Sequence, residues 1–119
     1  MNFDLPDLLS KLENATSAVL DSADFGVVRM NGDGAVLAYN TYESRLSGLS
    51  PEGVIGKNFF TEVAPCTNNF MVAERYQPSE ALDATVNYVF TYKMKPTKVR
   101  LRLLKRAGAA EQYLVAAKL

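Results

Sequence analysis

The chain has no histidine and a single cysteine, Cys66, among its 119 residues. Without histidine there can be no Ser–His–Asp triad, no Cys–His dyad and no imidazole metal site. One thiol builds neither a thiolate zinc centre nor an internal disulfide. Neither a Walker A nor a GxGxxG pattern occurs, so no glycine-rich cradle awaits nucleotide phosphates. An excess of charge is also missing. The 13 basic and 13 acidic residues cancel, which removes the broad basic footprint of a nucleic-acid binder. No apolar run approaches the roughly 20 residues of a membrane helix, and the opening MNFDLPDLLSKLENA lacks a basic n-region. These absences leave a hydrolase little to stand on, and the expectation is a protein that is not an enzyme, cytoplasmic by default, with no metal, nucleic acid or membrane as partner; the rival is an enzyme using Cys66 as nucleophile, against which the missing histidine argues.

What is present suits one globular domain. Hydrophobic residues make up 48% and charged residues 22%, ordinary values for a chain that buries one core. Leu5, Leu8, Leu9 and Leu12 fall on one helical stripe, continued by Ala15, Ala18 and Val19, with Asp4 as cap and Pro6 in the first turn. Asn14 is a point at which this segment could divide into two short helices. FGVVRM (25–30) and AVLAY (35–39) read as strands joined by the hairpin signal Asn31-Gly32-Asp33-Gly34. Asn40 and Glu43 have the spacing of a capping box, Gly48 ends that helix, and Ser50-Pro51 opens another. Val54 and Ile55 supply the buried side of that next turn, and Phe59, Phe60 and Val63 are core. Phe70 to about Leu82 is expected to be helical, with a break at Pro78. Val86, Tyr88, Phe90, Tyr92 and Met94 then alternate on one face of a strand, followed by Val99, Leu101 and Leu103, and by Tyr113, Val115 and Ala117. The layout is α+β: five antiparallel strands, with the helices between the second and third covering one sheet face.

The stretch from Tyr39 to Cys66 concentrates chemistry. It holds a phenol and a carboxyl four residues apart, Tyr39 and Glu43, and the one thiol of the chain. Two readings stand open here. The three groups line a pocket between helices and sheet, or Cys66 is a small buried hydrophobe and Tyr39 and Glu43 are an ordinary surface pair.

The order of elements resembles a PAS domain. The motifs GDG (32–34), YN..E (39–43), VIGKNFF (54–60), VAPCT (63–67), Y.F.Y.M (88–94) and PTKV (96–99) resemble the photoactive yellow protein family of blue-light receptors, over nearly the whole chain. The resemblance implies a PAS fold with helices on one sheet face, an N-terminal helical cap over residues 1–24, and a core with a chromophore pocket over residues 25–119. It implies p-coumaric acid (4-hydroxycinnamic acid) bound as a thioester to Cys66 within VAPCT. Tyr39 and Glu43 correspond to the groups that hydrogen-bond the phenolate. Ser47 stands where the family has a supporting threonine and keeps the hydroxyl. Pro65, Tyr88, Phe90, Tyr92 and Met94 correspond to the pocket lining. Leu49 departs from the pattern, since known members carry an arginine there. Light would drive trans–cis isomerisation, proton transfer from Glu43 to the phenolate, and release of the cap towards a downstream partner, from a monomer or weak dimer. The alternative is a non-photoactive PAS-type module that binds another small molecule or mediates interaction.

The implied chemistry is demanding. A phenol ionises near pH ~10, so holding it as an anion at neutral pH needs a shift of about 3 units, or ~4 kcal/mol. Short hydrogen bonds to the anion are the available means, and Glu43 donates one only while protonated.

Overall fold

Alternation in the last third of the chain becomes three consecutive antiparallel strands, β3 (Leu82–Phe90), β4 (Thr97–Lys105) and β5 (Glu111–Lys118). β1 (Gly26–Asn31) and β2 (Val36–Tyr39) form the expected hairpin, and β1 joins β5, giving one five-stranded sheet ordered β2-β1-β5-β4-β3. The structure is a computed structural model and describes residues 1–91 and 95–119. Tyr92 and Met94 lie outside the described residues. The outer edge of β2 is covered by the segment that follows α4 (Pro51–Val54): Val36 N–H donates to the Lys57 carbonyl (2.9 Å), and Gly56 N–H donates to that of Val36 (2.8 Å).

Both sheet faces are covered. On one face Val28, Met30, Val99, Leu101, Leu103 and Leu114 pack beneath Val54, Phe59, Phe60, Val63 and Val72. A π-helical turn, Phe59–Val63, arranges part of this layer. Asn58 Oδ1 caps it by accepting from Phe60 and Thr61 N–H (3.0 and 3.1 Å). Its wide bore points the adjacent Phe59 and Phe60 both inward, ring edge to ring face at 5.5 Å. On the opposite face Val27, Leu104, Tyr113 and Val115 receive Phe3, Leu8, Leu12, Leu20 and Phe25 from the N-terminal segment. Among the described residues no helix is long and apolar enough to cross a membrane.

Several local expectations are corrected. The N-terminal segment divides after Asn14 into α1 (Leu8–Glu13) and α2 (Ser17–Ser22). α1 starts at Leu8, with Asp7 in place of Asp4 at its N-cap and no side-chain cap bond, while Asp4 pairs with Arg100 (2.7 Å). Thr16 caps α2 and reorients it, so Ala18 and Val19 face solvent and Leu20 is buried instead. Ile55 ends α4 and is exposed; Val54 alone supplies its buried side. The segment from Phe70 to Leu82 holds only a 3-10 turn, Ala73–Arg75. Asn69 Oδ1 accepts from Met71 and Val72 N–H (2.9 and 3.2 Å), a local turn that competes with helix. Phe70 is 76% exposed, and Leu82 already belongs to β3.

Candidate functional site

The site begins at the junction of β2 and α3 (Thr41–Ser47), which is organised by the side chain of Asn40. Its Oδ1 accepts from Glu43 N–H (3.1 Å), as expected of an N-cap, and from Val27 N–H (2.9 Å). Its Nδ2 donates to the carbonyls of Leu20 (2.8 Å) and Phe25 (3.0 Å). Only half of the predicted capping box forms. Asn40 N–H goes to the Val27 carbonyl (3.2 Å), and the Glu43 side chain turns inward.

Glu43 is fully buried and Tyr39 is 5% exposed, so the surface-pair reading is excluded. They do not share a helix face: Tyr39 ends β2, and Glu43 lies in the first turn of α3. The carboxyl of Glu43 packs onto Gly26, where a Cβ would lie 2.2 Å from Oε1. A glycine inside a strand marks such a close backbone approach. Glu43 and Ser47 are four apart on one face of α3. The Tyr39 hydroxyl donates to Ser47 Oγ (2.8 Å), which also accepts from Leu49 N–H (3.1 Å). Ser44 Oγ donates to the Leu49 carbonyl (2.7 Å), and Gly48 closes α3 in the left-handed conformation (φ 74°). Leu49 is thereby fixed at both backbone groups.

Cys66 sits in a 3-10 turn, Pro65–Thr67, half-buried. Its carbonyl accepts from the Tyr88 hydroxyl and from Asn69 Nδ2 (3.0 Å), and Asn69 Nδ2 also reaches the Tyr88 oxygen (2.7 Å). Thr67 Oγ1 donates to the Ala64 carbonyl (2.7 Å) and pins the turn from below. Tyr88 and Phe90 stack edge to face at 6.1 Å. A cavity of about 340 Å³ opens beside the thiol, lined by Leu49, Glu62, Val63, Ala64, Pro65, Cys66 and Thr91. That volume lies within the small-molecule range of ~300–1,000 Å³. A larger groove of about 680 Å³ runs past Asp21, Thr41, Tyr42, Arg45, Lys95 and Lys118. It contains none of the predicted site residues, and its size does not outweigh the chemistry at Cys66.

The structure thus joins Tyr39 to Ser47 and Tyr88 to Cys66, and sets Leu49, Pro65 and Cys66 around one cavity. Tyr39 and Phe90 belong to the apolar cluster against which Leu49, Cys66 and Tyr88 pack. Tyr39 and Glu43 do not line the cavity itself. Sequence reasoning missed Gly26 and Asn69 and saw Asn40 only as a cap. Glycine inside an apolar strand was a legible signal; the double role of Asn69 left none.

A five-stranded sheet in this order, with helices over a half-buried site, defines a PAS domain, and the family model for the PAS fold matches residues 14–116. The chain is similar to a photoactive yellow protein from Rhodothalassium salexigens, 37% identical over 118 residues that cover 97% of this chain and 94% of that protein. It is 36% identical, over the same shares, to one from Halochromatium salexigens. The photoactive yellow protein domain of the sensor histidine kinase Ppr from Rhodospirillum centenum superposes with a TM-score of 0.83 at 38% identity, over 92% of this chain and 98% of that one. The chain belongs to the photoactive yellow protein family, a class of blue-light photoreceptors that are signalling modules and not enzymes.

Proposed function

We propose that the chain carries p-coumaric acid as a thioester on Cys66, and that its trans–cis isomerisation in blue light is converted into a signal through Glu43, Tyr39 and the N-terminal segment. When bound, that group supplies visible absorption and a double bond whose geometry light changes. The observation that carries the reading is Glu43, a carboxyl with no solvent exposure seated where only a glycine leaves room. A carboxyl is rarely enclosed so fully unless paired or put to use.

The roles follow from the contacts. Cys66 offers a half-buried thiol at the mouth of a cavity, and a thiol is nucleophilic even when only partly ionised. Tyr88 and Asn69 hold its carbonyl and so fix where the sulfur starts. Tyr39 and Glu43 are the proton donors toward a phenolate. For Tyr39 to donate there, its hydroxyl turns away from Ser47, and the Ser47 hydroxyl then donates to Tyr39 oxygen. Two hydroxyls 2.8 Å apart permit that exchange, and chained donors reinforce one another. Glu43 donates only while protonated, and apolar enclosure disfavours the charged form. Once Glu43 gives up its proton, a carboxylate remains where water does not reach, which is costly. Rearrangement of the surrounding fold relieves that cost. The element that yields is the cap, residues 1–24, which rests on the sheet face opposite the helices that cover Cys66. Leu49 replaces the family arginine with an apolar rim over the cavity. Tyr92 and Met94 complete the proposed lining by resemblance.

Incubation with an activated p-coumaroyl donor tests the proposal. Intact mass should rise by one hydroxycinnamoyl group and a visible band should appear, while Cys66→Ala should show neither. A wild-type chain that takes no adduct, or an adduct that survives in Cys66→Ala, would sink it.

A further inference from the structure

Four arginines hold the N-terminal segment on the sheet, and each addresses an electron-rich group. Arg29 Nη2 donates to the carbonyls of Leu12 (2.8 Å) and Ala15 (3.4 Å), at the C-terminal end of α1, where the helix carries partial negative charge. The Tyr113 hydroxyl accepts from Arg29 Nε (3.2 Å) and steadies the guanidinium. Arg102 is 6% exposed. Its Nη1 donates to the carbonyls of Phe3 (2.9 Å) and Leu5 (2.7 Å), while Nε and Nη2 engage both oxygens of Asp83 (2.9 Å each). Arg100 pairs with Asp4 (2.7 Å) and lies over the Phe3 ring at 4.7 Å. Arg106 grips both oxygens of Glu13 (3.0 and 2.6 Å). Between these cations Val27, Leu104, Tyr113 and Val115 form an apolar floor that receives Leu8 and Leu12.

A lid that served only to exclude water would need the leucines. It would not need a buried guanidinium aimed at main-chain carbonyls, an arrangement that reads position and polarity. We propose that this sheet face is a docking surface for a partner polypeptide of defined chemistry: a short acidic helical segment with leucine-like residues four apart and a carboxylate just past the second. The chain's own residues 3–13 occupy the surface in cis and display the pattern, with Asp4, Leu8, Leu12 and Glu13. Charge complementarity selects this occupant, because Arg100 and Arg106 at the rim take their ion-pair partners, Asp4 and Glu13, from the segment itself, whereas Asp83 and Glu111 of the sheet answer Arg102 and Arg29. A short tether holds the cis segment at an effective concentration of order mM, so a partner enters only as the cap leaves. The inference deepens the role given to the cap above, but its test uses neither light nor chromophore.

The full-length variant Leu8→Asp/Leu12→Asp should evict the cis segment, since both side chains are fully buried. A labelled synthetic peptide with the sequence of residues 1–22 should then bind it saturably, and more weakly as salt rises. Adding Arg102→Ala should weaken binding about tenfold or more, the scale of one lost charge-assisted hydrogen bond. A peptide carrying Asp4→Lys and Glu13→Lys should not bind. Equal binding of that peptide, or no binding by a variant whose core still melts cooperatively, overturns the proposal. Should the two aspartates unfold the chain, the wild-type protein decides. Excess unlabelled peptide should accelerate hydrogen exchange of the tethered amides 8–15 in an isotope-labelled chain. No acceleration, or equal acceleration by the charge-reversed peptide, overturns the proposal.

Discussion

Alanine at position 26 would put a methyl carbon 2.2 Å from Glu43 Oε1, 3.1 Å from its Cδ and 3.2 Å from its Cβ. Ordinary contact needs about 3.5 Å, so the closest approach is short by more than ~1 Å. The strand resists giving way, because Gly26 is paired with Ala116 of β5 and the next residue, Val27, is bonded at both backbone groups to Asn40. The backbone of Glu43 is held by its cap bond to Asn40. The side chain must therefore leave its rotamer, at ~0.5–1.5 kcal/mol, within a packed core where overpacking costs ~1–3 kcal/mol in total. We expect Gly26→Ala to lower urea-unfolding stability by about 1–3 kcal/mol on that account. The same change in a Glu43→Ala background should be neutral or stabilising. Gly26 is not in the positive-φ region, so alanine fits its backbone and restricts the unfolded chain by ~0.4–1 kcal/mol. The double-mutant cycle should thus show coupling of about 1–3 kcal/mol. In the reconstituted protein Gly26→Ala should also shift the visible band, because the displaced acid no longer meets the phenolate squarely. Equal penalties in both backgrounds would refute the claim that the glycine exists for the carboxyl.

Glu43→Gln supplies a weaker donor with no acidic proton. The band of the reconstituted protein should move to the red, and an unchanged spectrum with unchanged photoproduct protonation would remove Glu43 from its role. Leu49→Arg should move the absorption maximum only slightly while changing dark recovery more, since an exposed guanidinium at the rim is screened; a wild-type chromophore that is neutral at pH 7 and made anionic by the arginine would prove this wrong. The Asp83 carboxyl is held below its ordinary range by its hydrogen bonds to Arg102, and Glu13 by those to Arg106. Folded values below unfolded ones give stability that is complete above about pH 4 and lost as pH falls through the lowered values. Asp83 is 54% exposed, so its share is small; the fall in urea midpoint with acidification should be shallower in Asp83→Asn, and an unaltered slope would count against the pairing.

Period-two alternation made β3, β4 and β5 legible, and the Asn31–Gly34 signal made the first hairpin legible, because each depends on nearest neighbours. The cap residues Asn40, Gly48 and Ser50 were legible for the same reason. The region after Cys66 was not. Phe70, Val72, Ala73 and Tyr76 carry a helix-like spacing, but one asparagine side chain satisfies the first backbone donors in a turn, and only Val72 is fully buried. Chemistry divided in the same way. Tyr39, Glu43 and Cys66 stood out as residue types, whereas their burial depends on contacts between distant elements. The seat beneath Glu43 is made by Gly26, and the anchor of Cys66 by Tyr88 and Asn69. The grip on the N-terminal segment joins residues more than 90 positions apart for three of its four arginines, Arg100, Arg102 and Arg106, beyond the reach of any local pattern.

Asn40 has one further consequence. An amide offers two lone pairs and two N–H groups, and here all four are engaged: Oδ1 with Val27 and Glu43, Nδ2 with Leu20 and Phe25. Such a fastening has no slack. If α3 tilts enough to withdraw the Glu43 N–H, Oδ1 loses one of its two donors, and the pull passes through a rigid planar group to the last turn of α2. Thr41 N–H, bonded to Asp21 (2.9 Å), ties the same two helices a second time. The acid on one side of the sheet and the segment on the other are therefore separated by the width of one side chain. A disturbance at Glu43 need not travel through the sheet to be felt at the N-terminus.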